Sequence, residues 1–228
     1  MNPDGRFTTP RGGRTLPLGK LVCVGRNYSA HAREMGVAPP EEPFFFLKPS
    51  TSFLPSPRVV ALPPFSAEVH HEVELVVRVG SALRRGTVEQ AGAAIDAVAV
   101  GIDLTARDVQ AKAKAAGLPW TIAKGFDGAA PVGEFVAIPG AVALGDRGLS
   151  LRVNGQVRQQ AQISTMLRSA ADLLAWLSAR MTLEAGDLLF TGTPAGVGPL
   201  VDGDQIVAEL EGAPRLEFCV TRELPPLS

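Results

Sequence analysis

Glycine and proline interrupt this chain so often that few long elements can run through it: 24 glycines and 19 prolines fall within 228 residues. Proline lacks the N–H that a ladder or helix needs, and glycine is a residue of turns. Such punctuation favours short strands and tight turns over a helical bundle. Apolar runs at 21–25, 44–47, 98–104, 188–192 and 206–210 read as strands, and 55–64 as extended chain. Residues 70–79 alternate, which predicts one strand with two distinct faces. Asn154-Gly155 predicts the turn of a hairpin over 149–157. Helices are expected at 29–35 with Ser29 as cap, at the alanine-rich 88–98, at 105–116, and at 166–179, where Leu167, Leu174 and Leu177 follow helical spacing. The expected class is α+β and β-rich, with an extended lead-in over 1–20 and one domain over 21–228.

Charge narrows the function. Lys plus Arg total 22 and Asp plus Glu 23, a formal net charge of −1. No basic field exists to hold nucleic acid, and the cluster Arg11 to Arg14 is too brief to supply one. At 46% hydrophobic and 20% charged residues the chain can bury a core, which excludes a disordered protein. No apolar run reaches the ~18 residues of a membrane span. The first residues carry no apolar signal core, and the two cysteines, Cys23 and Cys219, read as reduced thiols. The expected location is the cytoplasm.

Glu72 and Glu74 stand two apart in the alternating segment, so on a strand both side chains enter one volume. Paired carboxylates raise each other's pKa, and a divalent cation removes that conflict. Asp103, at the end of an apolar run, is a natural third oxygen ligand. Three carboxylates suit a hard ion such as Mg²⁺, Mn²⁺ or Ca²⁺. For Glu-Val-Glu alone, an exposed polar strand face is the favoured reading. His70 falls on the Glu72 side as ligand, supporting partner or neither, and His71 points the other way.

If 104–116 is helical, Asp103, Arg107 and Gln110 share a face. Arg107 then either receives a substrate carboxylate or pairs within the helix with Asp103 or Asp108. Lys124 is either an electrophilic cation beside the metal or a solvated surface lysine. His31 and Glu34, three apart, form a water-activating pair or an ordinary helix-surface pair. Residues 191–198 make a turn-rich loop whose N–H groups and hydroxyl can approach a small anion, or which simply joins strands. It lacks the ending of a phosphate-binding P-loop. Phe44 to Phe46 and Trp120 either line a pocket or pack in the core.

Seven segments in order resemble the fumarylacetoacetate hydrolase family. They are Val24-Gly25-Arg26-Asn27-Tyr28 running on to His31 and Glu34; Phe46-Leu47-Lys48-Pro49-Ser50; His71-Glu72-Val73-Glu74-Leu75; Asp103 to Gln110; Leu118-Pro119-Trp120-Thr121 with Lys124; Val153-Asn154-Gly155; and Gly192-Thr193-Pro194 to Gly198. The pattern is most similar to the short acylpyruvase and oxaloacetate decarboxylase branch. The resemblance implies a mixed-strand β-roll core with short peripheral helices, a homodimer, and Mg²⁺ or Mn²⁺ (Ca²⁺ as a non-native occupant) on Glu72, Glu74 and Asp103. It implies His31 and Glu34 as the water-activating pair, Lys124 as a catalytic cation, and Arg107, Gln110 and Thr193 as substrate contacts. Longer members carry a further acidic metal ligand ahead of the histidine; residues 24–27 hold no acid here, so water is expected to complete the metal shell.

The implied reaction is hydrolysis of the C–C bond of an acylpyruvate, such as fumarylpyruvate or acetylpyruvate, through a pyruvate enolate whose charge the metal takes up. Alternatives are oxaloacetate decarboxylation, isomerisation or hydration of unsaturated α-keto acids, and a non-catalytic metal or small-acid binding module. The expected partner is a small α-keto acid, with neither nucleic acid nor membrane.

Overall fold

The computed structural model describes residues 6–7, 16–34, 36, 38 and 40–222; of Arg6, Phe7, His31 and Ala32 it describes the backbone alone. Strands take 40% of the chain and helices 21%, so the β-rich mixed class holds. The largest sheet orders its strands Phe44–Lys48, Leu21–Gly25, Leu188–Phe190, Val73–Val79, Ile95–Ile102, Ala130–Val132 and Phe53–Pro55, with Val136–Ala137 also on Ile95–Ile102. Two of its pairings are parallel, Leu188–Phe190 with Leu21–Gly25 and Ala130–Val132 with Phe53–Pro55. A second sheet runs Gln156–Gln162, Gly148–Val153, Gln205–Leu210, Leu216–Arg222 and Val59–Leu62. A small third sheet joins Thr105–Ala106, Val69–His71 and Gly198–Leu200.

Every residue of Val73–Val79 is buried. Val73, Leu75, Val77 and Val79 enter the larger core with Leu149, Leu151 and Ile206. Val76 faces a second core with Leu21, Cys23 and Phe190. The alternation read in the sequence therefore separates two apolar cores, not core from solvent. Burying each such side chain stabilises the fold by roughly 1.5–3 kcal/mol.

Several expected boundaries shift for local reasons. The strand predicted over 70–79 breaks at Glu72, and its halves belong to different sheets. The helix predicted over 88–98 covers only Val88–Ala93, opened by a Thr87–Gln90 capping box, because Ile95, Val98, Val100 and Ile102 are claimed by the larger core as a strand. The helix expected at 105 starts at Arg107, since Thr105–Ala106 pairs with Val69 and His70. The helix expected at 166 is Ala170–Ser178; Ser169 and Asp172 form its capping box and leave Leu167 outside it. Leu174 and Leu177 do face the core.

The hairpin forms as predicted, with Asn154 and Gly155 both at positive φ (51° and 78°). In the lead-in, Arg6–Phe7 pairs with Leu16–Pro17. The first helix, Ser29–Glu34, agrees with expectation up to Glu34; Met35 lies outside the described residues.

Candidate active site

The break at Glu72 builds the site. Val73 pairs with Ile102 at the end of the large sheet, and His70 with Thr105 in the small one. Both chains cross from sheet to sheet at the same level, with Glu72 on one and Asp103 on the other, joined by Asp103 N–H donating to the Glu72 carbonyl at 2.8 Å. Glu74 follows opposite Gly101. All three carboxylates are buried, and one oxygen of each lies within 4.8 Å of the others. Burial overturns the exposed-face reading of Glu72 and Glu74.

Three cations brace the cluster. Lys124, buried on the single-turn helix Thr121–Lys124, sets its ammonium 2.9 Å from Glu72 Oε2 and 2.7 Å from Asp103 Oδ2; it is not a surface lysine. Arg107 donates to Glu72 Oε1 at 2.5 Å and to Gln110 Oε1 at 2.7 Å. The pairings considered for Arg107 within its own helix are not made. Asp103 precedes the helix, and Asp108 instead accepts from Ser66 and the Ala67 N–H. Lys48, which sequence reasoning passed over, is buried at the end of its strand. Its ammonium binds the carbonyls of Leu104, Lys124 and Ala129 and sits 2.8 Å from Asp103 Oδ1.

Charge compensation is uneven. For Glu72, burial pushes the pKa up, but Lys124 and Arg107 outweigh it and hold the carboxyl well below the usual range. For Glu74, burial, then Asp103 and Glu72, drive it well above that range; the Gly192 N–H, at 2.6 Å, is its main compensation. Burial works to lower Lys124, yet Asp103 and Glu72 prevail and push it up to about 12. Asp103 Oδ1 is buried without a hydrogen-bond donor among the described residues; the Lys48 ammonium, which hydrogen-bonds to three carbonyls, meets it as an ion pair at 2.8 Å. Glu74 without a cation against it and an Asp103 oxygen without a hydrogen-bond donor, side by side with Glu72, fit a hard divalent cation.

The glycine-rich loop does not hold a free anion with the N–H groups of Gly192 and Gly196. They serve the protein's own carboxylates, Gly192 donating to Glu74 and Gly196 to Glu34 at 3.1 and 3.2 Å. Gly192 takes φ 94°, and a Cβ there would come within 2.8 Å of Asn27 Cβ, so glycine is required. The Thr193 hydroxyl donates to the Val73 carbonyl and accepts from Gln159, another residue the sequence did not single out. Gln159 also contacts buried His71. His70 lies beside Arg107 and Glu68, outside the triad. Glu34 is placed against the loop; the side chain of His31 lies outside the described residues.

Above the carboxylates a small cleft of about 40 Å³, partly open to solvent, is walled by Arg26, Phe44, Phe46 and Trp120 and by Arg107, Gln110 and Thr193. Phe44 and Phe46 both meet Trp120 edge-on, so these rings are wall as well as packing.

A strand-rich fold whose sheet crossing buries three carboxylates under a small cationic cleft defines an enzyme of the fumarylacetoacetate hydrolase type. The chain belongs to that family: a family profile described as fumarylacetoacetate (FAA) hydrolase C-terminal matches residues 20–221. Oxaloacetate tautomerase YcgM of Escherichia coli is 47% identical over 199 residues, covering 86% of this chain and 90% of the relative. The mitochondrial oxaloacetate tautomerase FAHD1 of Bos taurus is 43% identical over 202 residues, covering 89% and 91%. The crystal structure of fumarylpyruvate hydrolase from Pseudomonas aeruginosa in complex with Mn²⁺ and pyruvate superposes with a TM-score of 0.88 at 36% identity, over 98% of this chain and 99% of that one.

Proposed function

We propose that this protein hydrolyses the C–C bond of acylpyruvates, with Mg²⁺ or Mn²⁺ held by Glu72, Glu74 and Asp103. The observation that carries the reading is the buried Lys124 ammonium between Glu72 and Asp103 at the base of the cleft. The Mn²⁺ and pyruvate of the Pseudomonas structure supply the analogy for ion and product. The bound cation would add positive charge where the 2-keto and carboxylate oxygens lie.

The chain's own residues do the rest. Arg107, held by Glu72 and Gln110, orients the substrate carboxylate in a fork. Water, deprotonated by His31 with Glu34 as its orienting carboxylate, attacks the distal acyl carbonyl. The bond between that carbon and C3 of the pyruvate unit breaks, and its electron pair passes into the pyruvate enolate. Lys124, fully protonated at neutral pH, stabilises that developing charge. A proton delivered to C3 completes pyruvate, and the acyl half leaves as a carboxylic acid.

The names of the E. coli and bovine relatives favour a second reading, in which a C3 proton is removed from oxaloacetate to give oxaloacetate's own enolate, with no C–C bond broken. Lys124 and Arg107 would serve keto–enol exchange equally, while loss of CO₂ from oxaloacetate would yield the pyruvate enolate of the hydrolytic reaction. Hydrolysis alone needs the His31 and Glu34 pair. Homodimerisation fits the exposed Leu47, Leu118 and Ile122 beside the cleft, and sedimentation would test it. The deciding experiment compares kcat/KM for fumarylpyruvate, acetylpyruvate and oxaloacetate with and without added metal, following keto–enol exchange and pyruvate release separately. Pyruvate release from acylpyruvates supports hydrolysis; exchange of oxaloacetate with inert acylpyruvates would replace it by the second reading.

A further inference from the structure

His70 has no task in the reaction just described, yet it touches Arg107, the residue assigned to the substrate carboxylate. The small third sheet brings the two together: Thr105 pairs with His70, and the Arg107 N–H donates to the Glu68 carbonyl at 2.7 Å. Arg107 Nε donates to His70 Nδ1 at 3.4 Å, and on the far side of the ring His70 Nε2 lies 2.7 Å from Glu68 Oε1. A guanidinium only donates, so the Nδ1 that meets it must be bare. The one hydrogen of the neutral ring is then on Nε2 and is donated to Glu68. The carboxylate selects this tautomer, and the tautomer supplies the acceptor. His71 next to it holds the opposite tautomer, because its Nδ1 faces Gln159 Oε1, which already accepts the Val73 N–H.

Arg107 is thereby held at three points among the described residues. Nε meets His70, Nη1 meets Gln110 Oε1 and Nη2 meets Glu72 Oε1. A guanidinium carries five hydrogens, and these contacts leave one on each Nη. With Nε engaged, an incoming carboxylate cannot take the edge formed by Nε and one Nη. The remaining pair is the fork it can use. A neutral imidazole also holds the plane without adding negative charge, which would oppose a ligand carboxylate. The His70 and Arg107 side chains are 15% and 16% exposed, so little water competes for their contact.

We infer that His70, oriented by Glu68, is a positioning residue that fixes the plane of Arg107 for the substrate carboxylate. It acts through Arg107 and not on the metal. The inference rests on the reading of the cleft as a 2-oxo acid site with Arg107 as its carboxylate receiver.

Nitrogen NMR of the full chain reads the tautomer directly: there are three histidines, and His70→Asn identifies the His70 signal by its loss. The expected state at neutral pH is a hydrogen on Nε2 and a bare Nδ1; a hydrogen on Nδ1 overturns the inference whatever the protein binds. Calorimetry of pyruvate binding to the Mg²⁺-supplemented protein reads the consequence. His70→Leu should weaken binding by about tenfold, the scale of a hydrogen bond to a charged group, with Mg²⁺ affinity unchanged. His70→Asn should recover most of that loss, because its Oδ1 stands about where Nδ1 does and keeps an acceptor for Arg107. Glu68→Ala changes a half-exposed side chain, so it tests the idea even if the leucine variant misfolds. It should weaken pyruvate binding by a smaller factor and bring up the Nδ1–H form. Equal binding by wild type and His70→Leu, equal losses in the leucine and asparagine variants, or a matching loss of Mg²⁺ affinity overturns the inference and leaves the 2-oxo acid reading standing. A wild type that binds no pyruvate, with the tautomer as expected, overturns that reading and takes this role with it.

Discussion

Lys48 Nζ stands 2.8 Å from Asp103 Oδ1 as an ion pair and hydrogen-bonds to the Leu104, Lys124 and Ala129 carbonyls. The contact ties a carboxylate of the candidate metal site to the backbone that carries Lys124. Lys48→Met would leave three carbonyls short of a donor and a buried carboxylate short of a countercharge. Breaking a buried pair from one side costs about 3–5 kcal/mol. The expected outcome is a loss of that order in denaturant unfolding of the metal-free protein, partly restored by saturating divalent metal. A change below about 1 kcal/mol would show that Asp103 is compensated elsewhere.

Lys124 should matter to rate more than to binding. Its ammonium, pushed up to about 12, remains charged throughout the neutral range. Lys124→Met should lower kcat by about 10²–10³, the loss seen when a preorganised donor to a developing oxyanion is removed. The pH–rate profile of wild type should show no alkaline limb from this residue below about pH 10. A limb that disappears in the variant would mean that Lys124 works as a neutral base.

The carboxylates of the candidate site were legible only in part: the spacing of Glu72 and Glu74 put both in one volume, but an exposed polar face suited Glu-Val-Glu better until the family resemblance joined them to Asp103. Glu72, Glu74 and Asp103 each adjoin apolar runs, and burial leaves such groups needing a cation. Lys48 was not legible in this way. A lysine closing a strand looks like an ordinary solvent-facing terminus, and its carbonyl partners lie 56, 76 and 81 residues away in the chain. The break at Glu72 was hidden for a related reason: apolar alternation reports that two faces differ, not that the strand changes sheets. The alanines of 88–98 suit a helix locally, and tertiary burial of Ile95 and Val98 overrides that preference.

Metal affinity should rise with pH. Burial, Asp103 and Glu72 hold the Glu74 pKa well above an ordinary glutamate's, so the metal-free site keeps a proton where a free glutamate would have lost it. An incoming cation must expel that proton, so affinity climbs with pH up to the raised pKa and then levels off. Folding linkage has the corresponding sign. In the metal-free protein the stabilisation from the bound proton is complete below the unfolded value and disappears as pH rises through the folded one. Calorimetry in buffers of different ionisation enthalpy should reveal the released proton. A pH-independent affinity would remove Glu74 from the ligand set, and Glu74→Gln should weaken binding and abolish proton release.

Gln159 holds the glycine-rich loop to the strand beneath it. Its carbonyl accepts the Val73 N–H at 3.0 Å and lies 2.9 Å from His71 Nδ1, while its amide donates to Thr193 Oγ1 and to the Pro194 carbonyl. With Oε1 already an acceptor, Nδ1 must carry the His71 hydrogen. Gln159→Glu keeps the shape but removes both donors, leaving the Pro194 carbonyl without Gln159 and the Thr193 hydroxyl with only its bond to the Val73 carbonyl, at about 1–3 kcal/mol for a buried group left unpaired. The melting temperature should fall, and kcat/KM with it as Thr193 shifts. In wild type burial, first of all, lowers the His71 pKa and favours the neutral ring. A carboxylate at position 159 would raise it, giving a stabilisation present at low pH and lost as pH rises through the new value. The stability deficit of Gln159→Glu should therefore shrink on acidification. A deficit that stays constant with pH, measured as the difference in melting temperature from wild type, would show that His71 does not answer to residue 159.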